Sequence, residues 1–165
     1  ILLLVTSLRR LLWAVTGFTI AHSITLALAT LDIIRVPGPP VEAVIALSII
    51  LLAVEVTRYR RTNQETIAIR SPWLVSMFIG LIHGLGFAGA LSEYGLPAHA
   101  RFVSLLAFNL GVEAGQLLFI CATLFIVAVM RKLNTGSIPA MQTAATWVIG
   151  VCGSFWFIER VTGFF

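Results

Sequence analysis

The sequence contains few charged residues. Only 11% of its 165 residues are Asp, Glu, Lys or Arg, whereas a soluble domain carries about 25%. Hydrophobic residues make up 59% of the chain, and the mean hydropathy is +1.00. This balance excludes an ordinary soluble domain and indicates a protein that crosses the bilayer several times. At about 20 residues for each span, the length allows about five or six helices.

The motifs of soluble enzymes are also missing. The chain has no nucleotide-binding glycine loop, no His-Glu-x-x-His and no Gly-x-Ser-x-Gly. Its 2 cysteines, Cys121 and Cys152, lie in apolar runs without metal-type spacing, which predicts small apolar residues. The net charge of +4 does not require nucleic acid, and we expect none as a partner, because the basic residues lie beside apolar runs.

The apolar runs predict an all-α membrane helix bundle in a single transmembrane domain, residues 1–165. Residues 1–8 are interpreted as the stub of a truncated N-terminal helix, because the chain begins without Met. Pro37 to Pro40 is predicted as the end of a loop, since proline is not tolerated inside a helix. Arg58 to Pro72 is predicted as a polar loop. About five complete transmembrane helices are expected, at about 11–31, 41–57, 73–91, 102–130 and 140–158.

Lysine and arginine are divided unevenly between the two sets of connections. If the helices alternate in direction, one side of the membrane receives eight of the 11 basic residues. The positive-inside rule then predicts that the loop 58–72 is cytoplasmic and that the chain is a multi-pass protein of the inner (plasma) membrane. The eight are Arg9, Arg10, Arg58, Arg60, Arg61, Arg70, Arg131 and Lys132, and the other three are Arg35, Arg101 and Arg160.

Three ionisable residues are predicted at one depth in the membrane. His22, His83 and Glu113 each lie about ten or eleven residues into their helices, close to the midplane. An ionisable side chain at this depth is costly unless it faces the bundle interior and finds a partner. Imidazole and carboxylate suit divalent first-row metals. We therefore predict that these three residues bind a metal or carry protons.

Further polar residues accompany this group. Asn109, Glu113 and Gln116 have the spacing i, i+4, i+7 and share one helix face. Asn109 and Gln116 can supply carbonyl oxygens or orient the imidazoles, and Ser23 adjoins His22. The alternative is a structural hydrogen-bond network that holds the helices together.

The supporting residues also include two acids and two glycines. Glu42 is predicted in the first turn of the second helix, where a carboxylate favours the helix dipole. Glu55 precedes Arg58 by three residues, which allows an ion pair. Gly80 and Gly84 form a small-xxx-small face that lets another helix approach closely.

Four segments resemble the HupE/UreJ family of membrane proteins. This resemblance implies a nickel or cobalt permease of the kind found alongside hydrogenase and urease systems. It also implies that the family's upstream Gly-x-Asp-His helix is reduced here to the stub. The segments are Phe-Thr-Ile-Ala-His-Ser-Ile-Thr-Leu at 18–26, Val-Glu-Ala-Val-Ile-Ala-Leu-Ser-Ile at 41–49, Gly-Leu-Ile-His-Gly-Leu-Gly-Phe-Ala at 80–88 and Phe-Asn-Leu-Gly-Val-Glu-Ala-Gly-Gln at 108–116. The residues implied to belong to the family pattern are His22, Glu42, Glu55, His83, Asn109, Glu113 and Gln116.

The leading functional hypothesis is a permease for a divalent transition metal, with nickel first, and not an enzyme. Because no ATP-binding element is present, a gradient or a partner must supply the energy. One alternative is a non-transporting accessory protein for hydrogenase or urease maturation. Another is an intramembrane metal-dependent hydrolase with Glu113 as base. We expect no tightly bound cofactor, with nickel or cobalt as substrate. The expected partners are the lipid bilayer, the metal ion and, as a candidate, a second copy of the chain.

Overall fold

The computed structural model describes residues 3, 7–93, 101–133 and 136–164, with side chains throughout except at 88–93 and 101–102. Over these residues the chain forms six helices and no strand, which confirms the all-α prediction. The predicted stub lies almost wholly outside the described residues. The helices are α1 (Leu8–Thr30), α2 (Gly38–Thr62), α3 (Ile67–Arg70), α4 (Pro72–Glu93), α5 (Arg101–Lys132) and α6 (Ile138–Thr162).

Four of the described helices, α1, α2, α5 and α6, are long and apolar enough to cross a membrane. The fifth predicted span corresponds to α4, whose described apolar part covers Pro72–Phe87. Helix α5 has 32 residues and continues through Gly111 and Gly115 without interruption. At 1.5 Å per residue it measures about 48 Å, longer than the ~30 Å hydrocarbon core.

Helix α2 starts earlier than predicted. Its first turn contains Pro39 and Pro40, which were assigned to the preceding loop. Proline fits this position because the first turn of a helix leaves its backbone N–H groups unpaired in any case. As a result, Glu42 lies beyond the first turn, and the predicted interaction of its carboxylate with the helix start is wrong.

The polar segment after α2 is also more ordered than a loop. Helix α2 continues through Arg60 and Arg61 to Thr62 because no glycine or proline interrupts it, and basic residues favour a helix C-terminus. It stops where Asn63 adopts a left-handed conformation with φ of 51°. The short helix α3 then occupies part of the predicted loop and packs against α4.

The most extensive contact between helices joins α1 and α4. It is built on glycine: β-carbons added at Gly80 and Gly84 would meet the backbone of Phe18 and of His22. The contacts advance in the same direction along both helices, so α1 and α4 run parallel. Because no side chain separates the backbones, the two helices approach closely enough to bring His22 against α4.

The other helices surround this pair. Helix α2 packs on α6 and on α4, whereas α5 contacts α1 and makes little contact with α6. Much of α5 is exposed along its length, including Leu110, Leu118 and Phe125. Large apolar side chains of this kind match a surface that faces lipid, where apolar groups need no burial in protein.

Candidate metal site

His22 is enclosed in the centre of the bundle. Its side chain is completely buried and lies among three phenylalanine rings. Phe18, one turn earlier on α1, is stacked on the imidazole at 5.6 Å between ring centroids. Phe87 of α4 meets it edge-on at 5.6 Å, and Phe108 of α5 is stacked at 6.2 Å. Side chains from three helices therefore form an aromatic chamber around one imidazole.

Neither ring nitrogen of His22 has a hydrogen-bond partner among the described residues. A neutral imidazole carries one donor and one acceptor. Leaving a buried polar group unpaired costs roughly 1–3 kcal/mol. A bundle that tolerates this cost at a fully buried position is suited to a ligand that pairs with the imidazole.

His83 adjoins the same chamber. Its ring meets Phe18 edge-on at 5.7 Å, so both imidazoles contact one phenylalanine. The Nε2 atom of His83 lies 3.4 Å from the hydroxyl of Ser48 on α2. Ser48 donates its own proton to the carbonyl of Ile45 at 2.7 Å. Its oxygen can therefore accept from His83 Nε2–H, and in that tautomer Nδ1 carries the lone pair of the neutral ring.

Helix α5 is linked to α1 by two polar contacts. The Ser23 hydroxyl lies 2.7 Å from Asn109 Oδ1 and 2.6 Å from the carbonyl of Thr19, so its single proton serves one of them at a time. Farther along, Thr19 Oγ1 lies 3.5 Å from Gln116 Oε1, at the long limit of a hydrogen bond. The contacts run in opposite directions on the two helices, so α5 is antiparallel to α1.

Glu113 occupies the same α5 face, between Asn109 and Gln116. It is half-buried, and within the described part of the chain it makes no hydrogen bond or ion pair. The described residues also include no group of three or more His, Cys, Asp or Glu side chains that could hold one metal ion. Of the three predicted ligands, His22 and His83 share a contact with Phe18, and the joint metal role of all three stays a prediction.

A cavity of about 300 Å³ lies next to the histidines, between α1, α4 and α5. Phe18 and Gln116 line it, and it extends towards Leu11 near the start of α1. The buried hydroxyl-bearing residue Ser76 of α4 contributes polar surface. Phe18, which contacts both imidazoles, therefore also lines this cavity.

Comparison with known proteins decides the family. The HupE / UreJ protein family model matches residues 1–160, nearly the whole chain. The chain belongs to the HupE/UreJ family. No curated protein sequence and no solved structure matches it significantly. HupE/UreJ proteins are membrane proteins involved in nickel or cobalt uptake or in metalloenzyme maturation, a family of transporters and accessory proteins.

Two acids of the HupE/UreJ pattern lie away from the histidines. Glu42 forms an ion pair with Arg160 at 2.8 Å, where α2 begins and α6 ends. Glu55 accepts a hydrogen bond from Thr66 Oγ1 at 3.1 Å. The predicted pair between Glu55 and Arg58 does not form among the described residues, because Arg58 instead reaches Gln64. Both carboxylates connect chain segments at the ends of helices.

Sequence reasoning missed the aromatic walls and the partner of His83. Phe18 precedes His22 by four residues, a spacing that places its ring beside the imidazole on a helix. That signal was present in the sequence. The sequence could not identify Ser48 as the partner of His83, since nothing in it shows which helices are neighbours. In this HupE/UreJ protein, helices α2, α4 and α5 each contribute a side chain to the surroundings of the two histidines.

Proposed function

We propose that this HupE/UreJ protein is a permease for a divalent transition metal, nickel, and that His22 and His83 bind the ion in transit. One observation carries the proposal: His22 is completely buried with both ring nitrogens unpartnered among the described residues. Neutral imidazole is a good ligand for nickel. An ion held between one ring nitrogen of His22 and Nδ1 of His83 would give the lone pair of each imidazole a partner.

The polar residues near the two histidines have separate roles in this proposal. Ser48 orients His83 in the manner of outer-shell partners, which fix the tautomer of a ligating histidine. Asn109 and Gln116 attach α5 to α1 beside the chamber. Glu113 contacts the ion before or after the histidines and offsets its charge at the centre of the membrane. With no ATP-binding motif in the chain, movement follows a gradient or a partner.

Uptake into vesicles tests this function. The purified chain is reconstituted, and Ni²⁺ entering the lumen is followed by quenching of an entrapped metal-sensitive dye. We expect wild-type uptake to be saturable and His22→Ala and His83→Ala to abolish it. His99→Ala is the matched control, since it removes the third of the 3 histidines from a position outside the described residues. Uptake that persists in both site variants contradicts the proposal.

The same experiment separates transport from an accessory role. A wild-type chain that binds Ni²⁺ through His22 and His83 but moves none into vesicles is an accessory metal carrier for enzyme maturation. In that case the histidine chamber is a holding site, and the permease proposal is wrong while the metal site stands.

We also propose that the protein lies in the inner membrane with the 58–72 segment in the cytoplasm. Four of the eight basic residues assigned to that side fall in this segment. Asn63 ends α2 and is exposed, so a single cysteine there is accessible after Cys121 and Cys152 are replaced by alanine. An impermeant thiol reagent should label it only after the cells are opened. Labelling of intact cells reverses the topology.

A further inference from the structure

A groove runs along one face of the α2 and α6 pair. Its volume is about 630 Å³. Ile50 and Val54 of α2 and Val151 of α6 line its apolar part. Gly150 forms its floor, where the helices approach to within van der Waals distance of Ala53. The α2/α6 groove, as we name it, is therefore a long apolar furrow open to the surrounding lipid.

One end of the α2/α6 groove is cationic. Arg58 and Arg61 line it there, beside the exposed indole of Trp147. Arg58 makes one long contact of 3.4 Å, to Gln64, and Arg61 has no hydrogen bond or ion pair to any described residue. None of the described residues that line the groove is acidic. Two guanidinium groups with unused donors therefore face this end without a counter-ion.

A second cavity of about 290 Å³ joins the groove at its cationic end. It shares Arg61 and Trp147 with the groove and adds Arg60, whose Nη2 donates to the carbonyl of Pro139 at 2.8 Å. The positive charge is therefore concentrated around one pocket at the rim. Planar guanidinium forks match the geometry of phosphate oxygens.

The dimensions of the α2/α6 groove match half a bilayer. Ile50 and Arg61 are eleven residues apart on one helix, which corresponds to about 16 Å. One leaflet contributes about half of a hydrocarbon core that is ~30 Å thick. When the apolar part of the groove spans one leaflet, the arginines and the indole therefore lie at the level of the lipid headgroups. Tryptophan is enriched at this depth.

We propose that the α2/α6 groove is a binding site for an anionic phospholipid. Arg58 and Arg61 bind the phosphate of the headgroup, and one acyl chain lies along Ile50, Val54 and Val151. The positive charge at one end of the α2/α6 groove and its continuous apolar part together favour an anionic phospholipid over other ligands. A free phosphate would use the arginines but leave the furrow without a role, and a zwitterionic lipid would fill the furrow but leave the arginines without net negative charge.

The test uses Trp147 as the reporter. Of the 4 tryptophans, the other three are replaced by phenylalanine in the full chain, at Trp13, Trp73 and Trp156. Fluorescence quenching in detergent is then measured with phosphatidylglycerol and with phosphatidylcholine, each carrying brominated acyl chains. We expect phosphatidylglycerol to quench at a concentration at least about tenfold lower than phosphatidylcholine does. Each nearby arginine should raise the affinity for an anionic lipid by a factor of about five.

The arginine variants decide the source of this preference. The double variant Arg58→Gln/Arg61→Gln should weaken quenching by phosphatidylglycerol about 20- to 30-fold and leave phosphatidylcholine unchanged. The matched control Arg131→Gln/Lys132→Gln removes the same charge at the end of α5, outside the groove, and should keep the preference. Thermal melting verifies that both double variants are folded.

Three outcomes overturn the proposal. Equal quenching by both lipids, or an unchanged preference in Arg58→Gln/Arg61→Gln, makes the groove an unspecific lipid-facing surface. Inorganic phosphate that prevents quenching at concentrations comparable to the lipid makes the arginines a site for free phosphate. Absence of quenching by either brominated lipid shows that no acyl chain enters the groove.

Discussion

Helices α1 and α5 both carry polar residues at mid-length, yet they are packed very differently. In the most apolar 18-residue window of α1, 33% of the residues are buried, against 6% in α5. Helix α1 is pressed against α4 through glycine, with His22 enclosed. Helix α5 contacts α1 through Asn109 and Gln116 and through Leu105, which packs on Leu26, and its Glu113 stays half-buried.

This difference separates two kinds of intramembrane polar group. A histidine with no exposed surface and fixed neighbours is preorganised for one ligand, because its surroundings need not rearrange on binding. A partly exposed carboxylate on a sparsely packed helix can meet an ion arriving from outside the bundle. We therefore assign the selective binding step to α1 and α4, and a transfer step to α5.

The largest expected effect comes from comparing a glycine at the contact of α4 with α1 and a glycine on the exposed helix α5. In Gly84→Leu the new side chain meets the backbone of His22 and the hydroxyl of Thr25. We expect a loss of about 3 kcal/mol or more, measured by thermal or denaturant unfolding in detergent, since backbone cannot move aside as a side chain can. The matched control Gly111→Leu meets nothing within 4 Å and should change stability by less than about 0.5 kcal/mol. Equal losses would remove the distinction between the helices.

The next effect concerns Ser48, the partner of His83 on α2. Ser48→Ala removes the hydroxyl that accepts from His83 Nε2 while keeping the size of the side chain nearly unchanged. We expect Ni²⁺ affinity to fall at least about tenfold, as for other outer-shell partners of ligating histidines. Ser154→Ala is the control, because its hydroxyl also donates only to its own helix, at the carbonyl of Gly150. Equal affinity of the two variants contradicts the assigned role of Ser48.

A smaller effect measures the attachment of α5. Ser23→Ala and Asn109→Ala, combined in a double-mutant cycle, should give a coupling energy of about 0.6 kcal/mol and no more than about 1.7 kcal/mol. Values in this range are typical of hydrogen bonds between membrane helices. A coupling of several kcal/mol in unfolding experiments would show that α5 is attached as firmly as α4.

The smallest effect is expected at the ion pair between α2 and α6. The side chains of Arg160 and Glu42 are 41% and 33% exposed, so solvent screens their attraction. Glu42→Gln should therefore lower stability by no more than about 1 kcal/mol. Its effect on Ni²⁺ uptake should be negligible, because the carboxylate lies at the helix ends. A strong uptake defect in a stable Glu42→Gln protein would place this acid on the ion's path.

The sequence predicted the helices and part of their arrangement. Apolar run length located every long helix to within a few residues, and the Gly80 and Gly84 spacing indicated the close contact that α4 makes with α1. Depth counting placed His22 and His83 at one level, and in the structure both imidazoles contact Phe18. These inferences succeed because they use position along a helix, which is readable from residue number and rise.

The rest depended on which helices are neighbours and how each is rotated. Equal depth does not establish that Glu113 faces the histidines, because two residues at one level can face different sides of a bundle. Ser48 and Phe108 reach the chamber only through packing between elements far apart in sequence. The first turn of α2 was missed for a local reason, since proline in the sequence marks a loop and a helix start equally well.

The binding of Ni²⁺ to the purified chain, followed by titration calorimetry, tests the central claim most directly. We predict that His22→Ala weakens binding more than about 100-fold, beyond the 10- to 100-fold typical of losing an outer-shell partner. Glu113→Gln should bind nearly as tightly as wild type yet transport poorly. Wild-type affinity in His22→Ala, or a loss of binding confined to Glu113→Gln, would contradict a metal site in the aromatic chamber around His22.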